Sequence, residues 1–443
     1  MFRAILMTGF VFLQAFGCLA EDNSFYAARR EALMKKIEGT VAVLQGASST
    51  RAYIAFRQDN NFYYLTGVEA PDALLLLDAP RHHSILFLPG QNKETEKWEG
   101  PRLYPGPEAR NRTGIDEVLE SSQFGDELEK RKGAFQTLYT PFTPEEIAAT
   151  SRDRALQHDS ARQRDPWDGR LSREAAFQKD LQAKLGSSVS IKDLSPFLDE
   201  MRRVKDTLEI ETLRAAGKIG ASGMKEAIQA ARPGMYEYQV AALAEFMFLW
   251  QGASGPGFFP IVGSGPNSCL LHYSQNHRKM ATGDIVVFDF GPEYRYYQVD
   301  ITRTFPVSGK FSEEQAKVYN VVLAAQKAAL EKVRPGASFN VLSAAVEEVL
   351  EHYGYSEYLT HGVSHYVGMS THDVGSSETF EPGVVITVEP GVYMPDKNLG
   401  IRIEDTVLVT KDGCEVLTGG VPKDPAEIEK LMSEKSFVET IKN

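Results

Sequence analysis

Five residues able to ligate a metal are spread in order through the last third of the chain: Asp289, Asp300, His365, Glu389 and Glu404. Two of them lie in short apolar runs, IVVFDFG (285–291) and VVITVEPG (384–391). A carboxylate in an apolar strand is costly to bury unless something cationic sits against it. Side chains two apart on a strand share a face. Gln298, Asp300 and Thr302 then form one row and Arg402 with Glu404 another, while Ile401 and Ile403 face the core. Four carboxylates crowded together without cations would repel, and some would take up protons. Two divalent ions cancel that charge, and one bridging hydroxide leaves a small negative excess. An oxygen-rich set with one imidazole favours manganese, cobalt or zinc over a thiolate zinc site, with manganese the first expectation. Such a pair can lower the pKa of a bridging water and polarise a carbonyl. A metal-dependent hydrolase is the leading expectation.

Four of the nine histidines stand in two glycine-containing segments. His361, His365 and His372 fall in HGVSHYVGMSTHDVG (361–375), and His272 in GSGPNSCLLHYSQN (263–276). One need bind metal. His272, His361 and His372 are then placed to hold substrate or to stabilise charge that develops on a carbonyl oxygen.

Residues so far apart need elements that bring them together. Arg232-Pro233-Gly234 leads into an amphipathic helix from Tyr236 to Trp250, and Arg334-Pro335-Gly336 leads into another from Phe339 to Tyr353. Strands carrying one acid and then another follow each: Asp289 and Asp300 in the first case, Glu389 and Glu404 in the second. The order suggests an internal duplication, whose two-fold arrangement would gather all four carboxylates. Ahead of it, Leu213, Gly217, Gly220, Met224 and Ile228 recur at helical spacing on one face. The region 21–197 reads as alternating elements: a helix over Phe25–Lys36 and strands over Thr40–Gln45, Phe62–Leu65, Ala73–Asp78 and His83–Leu88. Ser151 to Gln182, dense in Arg, Asp and Gln, reads as a solvated surface excursion. Ser195-Pro196 followed by Met201-Arg202-Arg203 marks the boundary between domains of 21–197 and 198–443.

A chain of 443 residues is expected to form two domains. Its balance of 48 basic and 60 acidic residues lacks the basic excess that a nucleic-acid partner requires. Residues 1–20 read as a signal peptide: Arg3, the apolar run Ile5–Phe16 and Cys18-Leu19-Ala20 before Glu21. Secretion or periplasmic export follows, with no membrane span in the mature protein. An uncleaved anchor or a lipid-modified Cys18 is the alternative. Cys269 and Cys414 lack zinc-like spacing, and whether they pair is open at this level.

The region from about Met201 to Met432 resembles the pita-bread metallopeptidases and, within them, the aminopeptidase P family. The matching segments are IVGSGPNSCLLHY, VVFDFGPEYRYYQVDITRTFPVSGKF, HGVSHYVGMSTHDVG, ITVEPGVYMP and GIRIEDTVLV. FRQDNNFYYLTGVEAPDALLLLD (56–78) is similar to the creatinase-type N-terminal domain of the same proteins. The resemblance implies an α+β fold, with a duplicated pita-bread catalytic domain behind a smaller α/β domain. It implies that Asp289 binds one metal, His365 and Glu389 the other, and that Asp300 and Glu404 bridge both. Glu389 would also handle the proton of the attacking hydroxide. His272, His361 and His372 would contact substrate or tetrahedral intermediate, and Tyr393 and Arg402 would orient the acids. The implied reaction removes the first residue of a peptide with proline at position two, in a homo-oligomer (dimer or tetramer). Prolidase, which takes dipeptides on the same fold and metals, is the rival reading. A non-catalytic binding protein of the same fold is a third, disfavoured because all five ligands are present.

Overall fold

The computed structural model describes residues 23–441 except 51 and 377, so the signal-peptide expectation lies outside the described residues. No helix among them is long and apolar enough to cross a membrane.

The N-terminal part is built on one mixed sheet of six strands. These are β1 (Val41–Gln45), β2 (Leu74–Asp78), β3 (His83–Leu88), β4 (Glu117–Glu120), β5 (Thr137–Thr140) and β6 (Ser190–Asp193), in the order β4-β3-β2-β1-β5-β6. Its central strands are buried on both faces, which is why they read as continuous apolar runs. Alternation sorts their side chains. Val43, Leu76, Ile85 and Phe87 pack with Leu128, Leu181 and Leu185 on one face. Ala42, Leu44, Leu75, Leu77, Leu86 and Leu88 pack on the other, with Phe62, Leu65, Leu198, Leu213 and Ala216. That second face seats the sheet on the C-terminal half.

The helices of this part are α1 (Ser24–Lys36), α2 (Asn60–Thr66), α3 (Lys93–Glu99), α4 (Pro107–Thr113), α5 (Phe124–Arg131), α6 (Arg152–Arg164) and α7 (Arg173–Leu185). α2 overturns the strand expected at Phe62–Leu65. Its aromatic run favours a strand locally, but Asp59 caps its N-terminus by accepting from the Phe62 amide, and Gly67 ends it at φ 63°. All of α2 except Tyr63 is buried.

The excursion at Ser151–Gln182 forms α6, which has no buried residue, and most of α7. The purely solvated reading needs correction in α7, whose Leu181 is buried against the sheet, and at the start of α6. Arg152 there is paired with Glu146 and Asp199. That anchor holds Ser151, Arg154 and Ala155 against the interdomain cleft.

α8 (Ser195–Arg203) leads into the C-terminal half, whose described helices are α9 (Thr207–Ala230), α10 (Glu237–Trp250), α11 (Glu313–Leu330), α12 (Phe339–Tyr353), α13 (Pro425–Ser433) and α14 (Phe437–Ile441). The expected buried face of α9 is present, with Leu213, Gly217, Gly220, Met224 and Ile228 all inside. The strands are β7 (Gly255–Pro256), β8 (Ile261–Ser264), β9 (Ile285–Asp289), β10 (Pro292–Tyr294), β11 (Tyr297–Gln298), β12 (Thr302–Pro306), β13 (Val385–Val388), β14 (Gly391–Met394), β15 (Leu399–Arg402), β16 (Asp405–Val409) and β17 (Cys414–Val416).

The two halves of this domain repeat one plan. α9 packs on α10 and α11 on α12. The sheets are β12-β9-β8 in the first half and β13-β16-β17 in the second. Even the turns correspond: Gly234 donates to Met280 O and Met280 to Met235 O, while Gly336 donates to Phe380 O and Phe380 to Ala337 O. Cys269 and Cys414 are both free thiols.

Candidate metal centre

Each half places one acid at or just past the end of a strand and another just before that strand's antiparallel partner. β9 closes on Asp289, which pairs with Thr302 of β12, and Asp300 stands two residues before β12. β13 closes at Val388, which pairs with Asp405 of β16, so Glu389 and Glu404 flank that pair. Gly291 lets the chain after Asp289 lie against the Asp300 segment, because a Cβ there would fall 1.7 Å from Val299 O. The halves are stitched together at the same place. The Glu404 amide donates to Thr302 O at 3.0 Å and the Asp300 amide to Thr406 Oγ1 at 2.8 Å.

His365 comes from the loop before β13. Its amide donates to Thr387 Oγ1 at 3.0 Å, and its Nδ1 lies 2.9 Å from Tyr366 O. A carbonyl partner assigns the proton to Nδ1 and leaves the Nε2 lone pair available, as a metal ligand requires. That Nε2 lies 3.6 Å from Asp300 Oδ2 and 3.5 Å from Glu389 Oε1. Ligand atoms of Asp300, His365 and Glu404 all fall within 4.8 Å of one another.

The donor set fits divalent cations. Asp289 Oδ1, Asp300 Oδ1 and Glu404 Oε1 are buried and accept no hydrogen bond. Three such oxygens in one place would carry an uncompensated desolvation cost. Burial, reinforced by Asp289 and Glu389, drives the Asp300 carboxyl well above the usual carboxylate range. Burial and the neighbouring Asp300 do the same to Glu404. Cations against these oxygens remove both penalties.

The remaining expected residues also converge. Arg402 donates to Asp289 Oδ2 at 2.6 Å, to Tyr393 OH at 3.0 Å and to Thr302 Oγ1 at 3.2 Å. Tyr393 OH lies 2.8 Å from His361 Nε2, and His361 Nδ1 lies 2.8 Å from Gly362 O. The tautomer follows: Nδ1–H donates to the carbonyl, Nε2 accepts from the phenol, and the ring is neutral. Burial lowers the His361 pKa, in agreement, and pushes the Tyr393 hydroxyl up to about 12. His372 stacks on His365 with ring centres 4.0 Å apart. Burial, with His365, His272 and Arg154 nearby, pushes His372 down to about 3. His272 is lowered by burial and then by Arg154, whose Nη2 lies 3.3 Å from its Nδ1.

Asp289, Asp300, His272 and His372 open onto a cleft of about 500 Å³ shared by the two domains. Ile147, Ala149, Ser151 and Arg154 line one wall, and Phe258, Phe259, His272, Asp289, Asp300 and His372 the other. Sequence reasoning missed Arg154, because nothing in a polar, arginine-rich helix distinguishes the one arginine that faces a site. It also missed Thr387, whose hydroxyl reaches Glu389 Oε1 at 3.3 Å. Position could have found Thr387, since it lies two residues before Glu389 on the same strand.

Comparison with known proteins agrees with this geometry. Residues 211–411 match the model of metallopeptidase family M24. Residues 26–139 match that of the aminopeptidase P N-terminal domain. Xaa-Pro aminopeptidase of Escherichia coli is 34% identical, over 92% of this chain and 97% of its own. The structure of a putative aminopeptidase P from Bacillus anthracis superposes with a TM-score of 0.84 at 30% identity, over 94% of this chain and 99% of that one. Zinc-substituted E. coli aminopeptidase P in complex with product gives 0.77 at 33% identity, over 93% and 98%. The chain belongs to the aminopeptidase P family of the M24 metallopeptidases.

Proposed function

We propose that this chain is a metal-dependent aminopeptidase that hydrolyses the bond between the first residue of a peptide and a proline at position two. Asp289, Asp300, His365, Glu389 and Glu404 would hold the divalent ions, whose chemistry the buried carboxylates and the open imidazole nitrogen suit. The observation that carries this reading is the trio of buried, unbonded carboxylate oxygens on Asp289, Asp300 and Glu404 beside the open Nε2 of His365. Bound there, divalent ions supply a water of lowered pKa and polarisation of the scissile carbonyl.

The chain's own residues do the rest. Glu389, whose carboxylate lies between Thr387 Oγ1 at 3.3 Å, His365 Nε2 at 3.5 Å and His361 Nδ1 at 3.8 Å, is the acid placed to take a proton from the attacking water and pass it to the leaving nitrogen. His272 and His372 line the cleft, and their lowered pKa values keep them neutral. A neutral ring N–H can donate to the substrate carbonyl and to the oxyanion that forms from it. Arg402 and Tyr393 connect Asp289 to His361 and hold both in place. A bond before proline has no N–H to recognise, so selectivity must come from shape. Phe258, Phe259 and Ile147 offer apolar surface for a pyrrolidine ring.

The test is hydrolysis of paired substrates by metal-loaded protein. Arg-Pro-Pro is expected to be cleaved and Gly-Pro hardly touched; the opposite result makes the chain a dipeptidase. A protein that holds no metal and ignores chelation is not this enzyme. The reading takes manganese as the resident ion, which metal analysis of protein from cells decides against cobalt or zinc. It also takes the chain to be exported after cleavage at Ala20, which N-terminal sequencing of the cell-derived protein tests. A dimer or tetramer is expected on light scattering.

A further inference from the structure

Behind the cleft lies a buried charge network that the chemistry above does not use. Arg202, at the end of α8, has a side chain 1% exposed. Its Nη1 donates to Glu146 and, at 2.8 Å, to Asn61 Oδ1. Its Nη2 donates to Asp373 Oδ1 at 2.5 Å. Asp373 also faces Lys205 Nζ at 3.5 Å, and Glu146 and Asp199 both take Arg152. Three cations thus face three carboxylates: Arg152, Arg202 and Lys205 against Glu146, Asp199 and Asp373. Arg202 with Lys205 holds the Asp373 carboxyl below its usual range despite burial.

The two carboxylates that Arg202 joins lie behind opposite walls of the cleft, each next in sequence to a residue that lines it. Glu146 immediately precedes Ile147 on the N-terminal wall, and Asp373 immediately follows His372 on the catalytic wall. The walls touch at backbone level in the same place: the Thr371 amide donates to Ala148 O at 2.9 Å, and Ser370 Oγ to Ile147 O at 3.1 Å.

Burying so many charges is weak as a source of stability, because desolvation roughly cancels the attraction. What such a network supplies is geometry. Arginine's planar fork presents two nitrogens at a fixed spacing and angle, which the point charge of lysine cannot do. We propose that Arg202 is a positioning residue for the reaction: by bonding Glu146 and Asp373 at once, it sets the separation of the two cleft walls and so the placement of His372 and Arg154 over the metal centre. The inference rests on the aminopeptidase reading.

The test compares Arg202→Lys and the isosteric Asp373→Asn with wild type, using full-length, metal-loaded protein. Wild-type cleavage of Arg-Pro-Pro first checks the aminopeptidase reading by itself. In both variants bound metal is expected to match wild type, since no ligand is altered. kcat for the tripeptide falls at least tenfold well below the melting temperature. Hydrogen exchange at the Thr371 amide quickens while that of the β1–β3 strands does not. If Arg202→Lys does not fold, Asp373→Asn carries the same comparison. Wild-type kcat with unchanged exchange at Thr371 overturns the proposal. So does a loss of kcat that tracks loss of metal or general loosening, because either assigns the network to the metal site or to stability alone.

Discussion

Thr302 shows how much the centre asks of one hydroxyl. It donates to Glu404 Oε2 at 2.6 Å and lies 3.2 Å from Arg402 Nε, so it holds an acid and the guanidinium that restrains another. Replacing it with valine keeps the shape and removes the hydroxyl. Partners of metal ligands typically affect affinity by about 10- to 100-fold. We expect Thr302→Val to weaken metal binding by that order, read by titration with a chelating indicator, while the far-ultraviolet spectrum stays unchanged. Asp300→Ala goes further. It removes an acid whose charged form burial and the neighbouring Asp289 and Glu389 disfavour when no cation is present, so the metal-free protein is expected to keep its fold. It should abolish turnover while the fold remains. Activity near wild type in that variant refutes the placement of Asp300 among the metal ligands. At this scale the convergence of the five candidate ligands and their companions was readable from type and context, because each stands in a short segment whose register allows few alternatives. Arg154 was not readable, since its role exists only through the tertiary course of α6.

The element that departs furthest from expectation is α2. FYYL carries strand propensity, but Asp59 and Gly67 bracket it as a cap and a left-handed stop. Burial, with Glu146 close by, pushes the Asp59 carboxyl up to about 7. The sign follows from linkage. A folded-state pKa raised above the unfolded value contributes stability fully present below about pH 4, and that contribution is lost as pH rises towards 7. Each unit is worth about 1.4 kcal/mol. Asp59→Asn keeps an acceptor for the Phe62 amide but cannot titrate. The stability of wild type relative to Asp59→Asn should therefore fall between pH 4 and pH 7 and level off above, measured by denaturant unfolding of the metal-free protein. A pH-independent difference contradicts the buried state of Asp59. The other elements were legible where one rule dominated. α12 spans Phe339–Tyr353 and stops at Gly354, as its glycine predicts, and β3 spans His83–Leu88 as expected.

At the scale of the molecule, the metal centre joins the two halves of the duplicated domain, with Asp289 and Asp300 from one and Glu389 and Glu404 from the other. Removing the ions leaves four acids facing each other across that junction. Binding to the folded state alone stabilises by about 2.7 kcal/mol when free metal is one hundred times Kd. Chelation should therefore lower the melting temperature by several degrees, and manganese should restore it in scanning calorimetry. A melting temperature indifferent to chelator contradicts a centre built across the junction. Residue type and context marked the five candidate ligands, the duplicated order of their strands and the presence of two domains, because period, caps and glycine turns are local and leave their mark along the chain. Tertiary structure decided that α2 is a helix, that an arginine-rich excursion turns one arginine onto His272, and that Arg202 links both walls of the cleft. Those outcomes depend on contacts between segments far apart in the chain, and no local pattern encodes which distant carboxylate a buried guanidinium will meet.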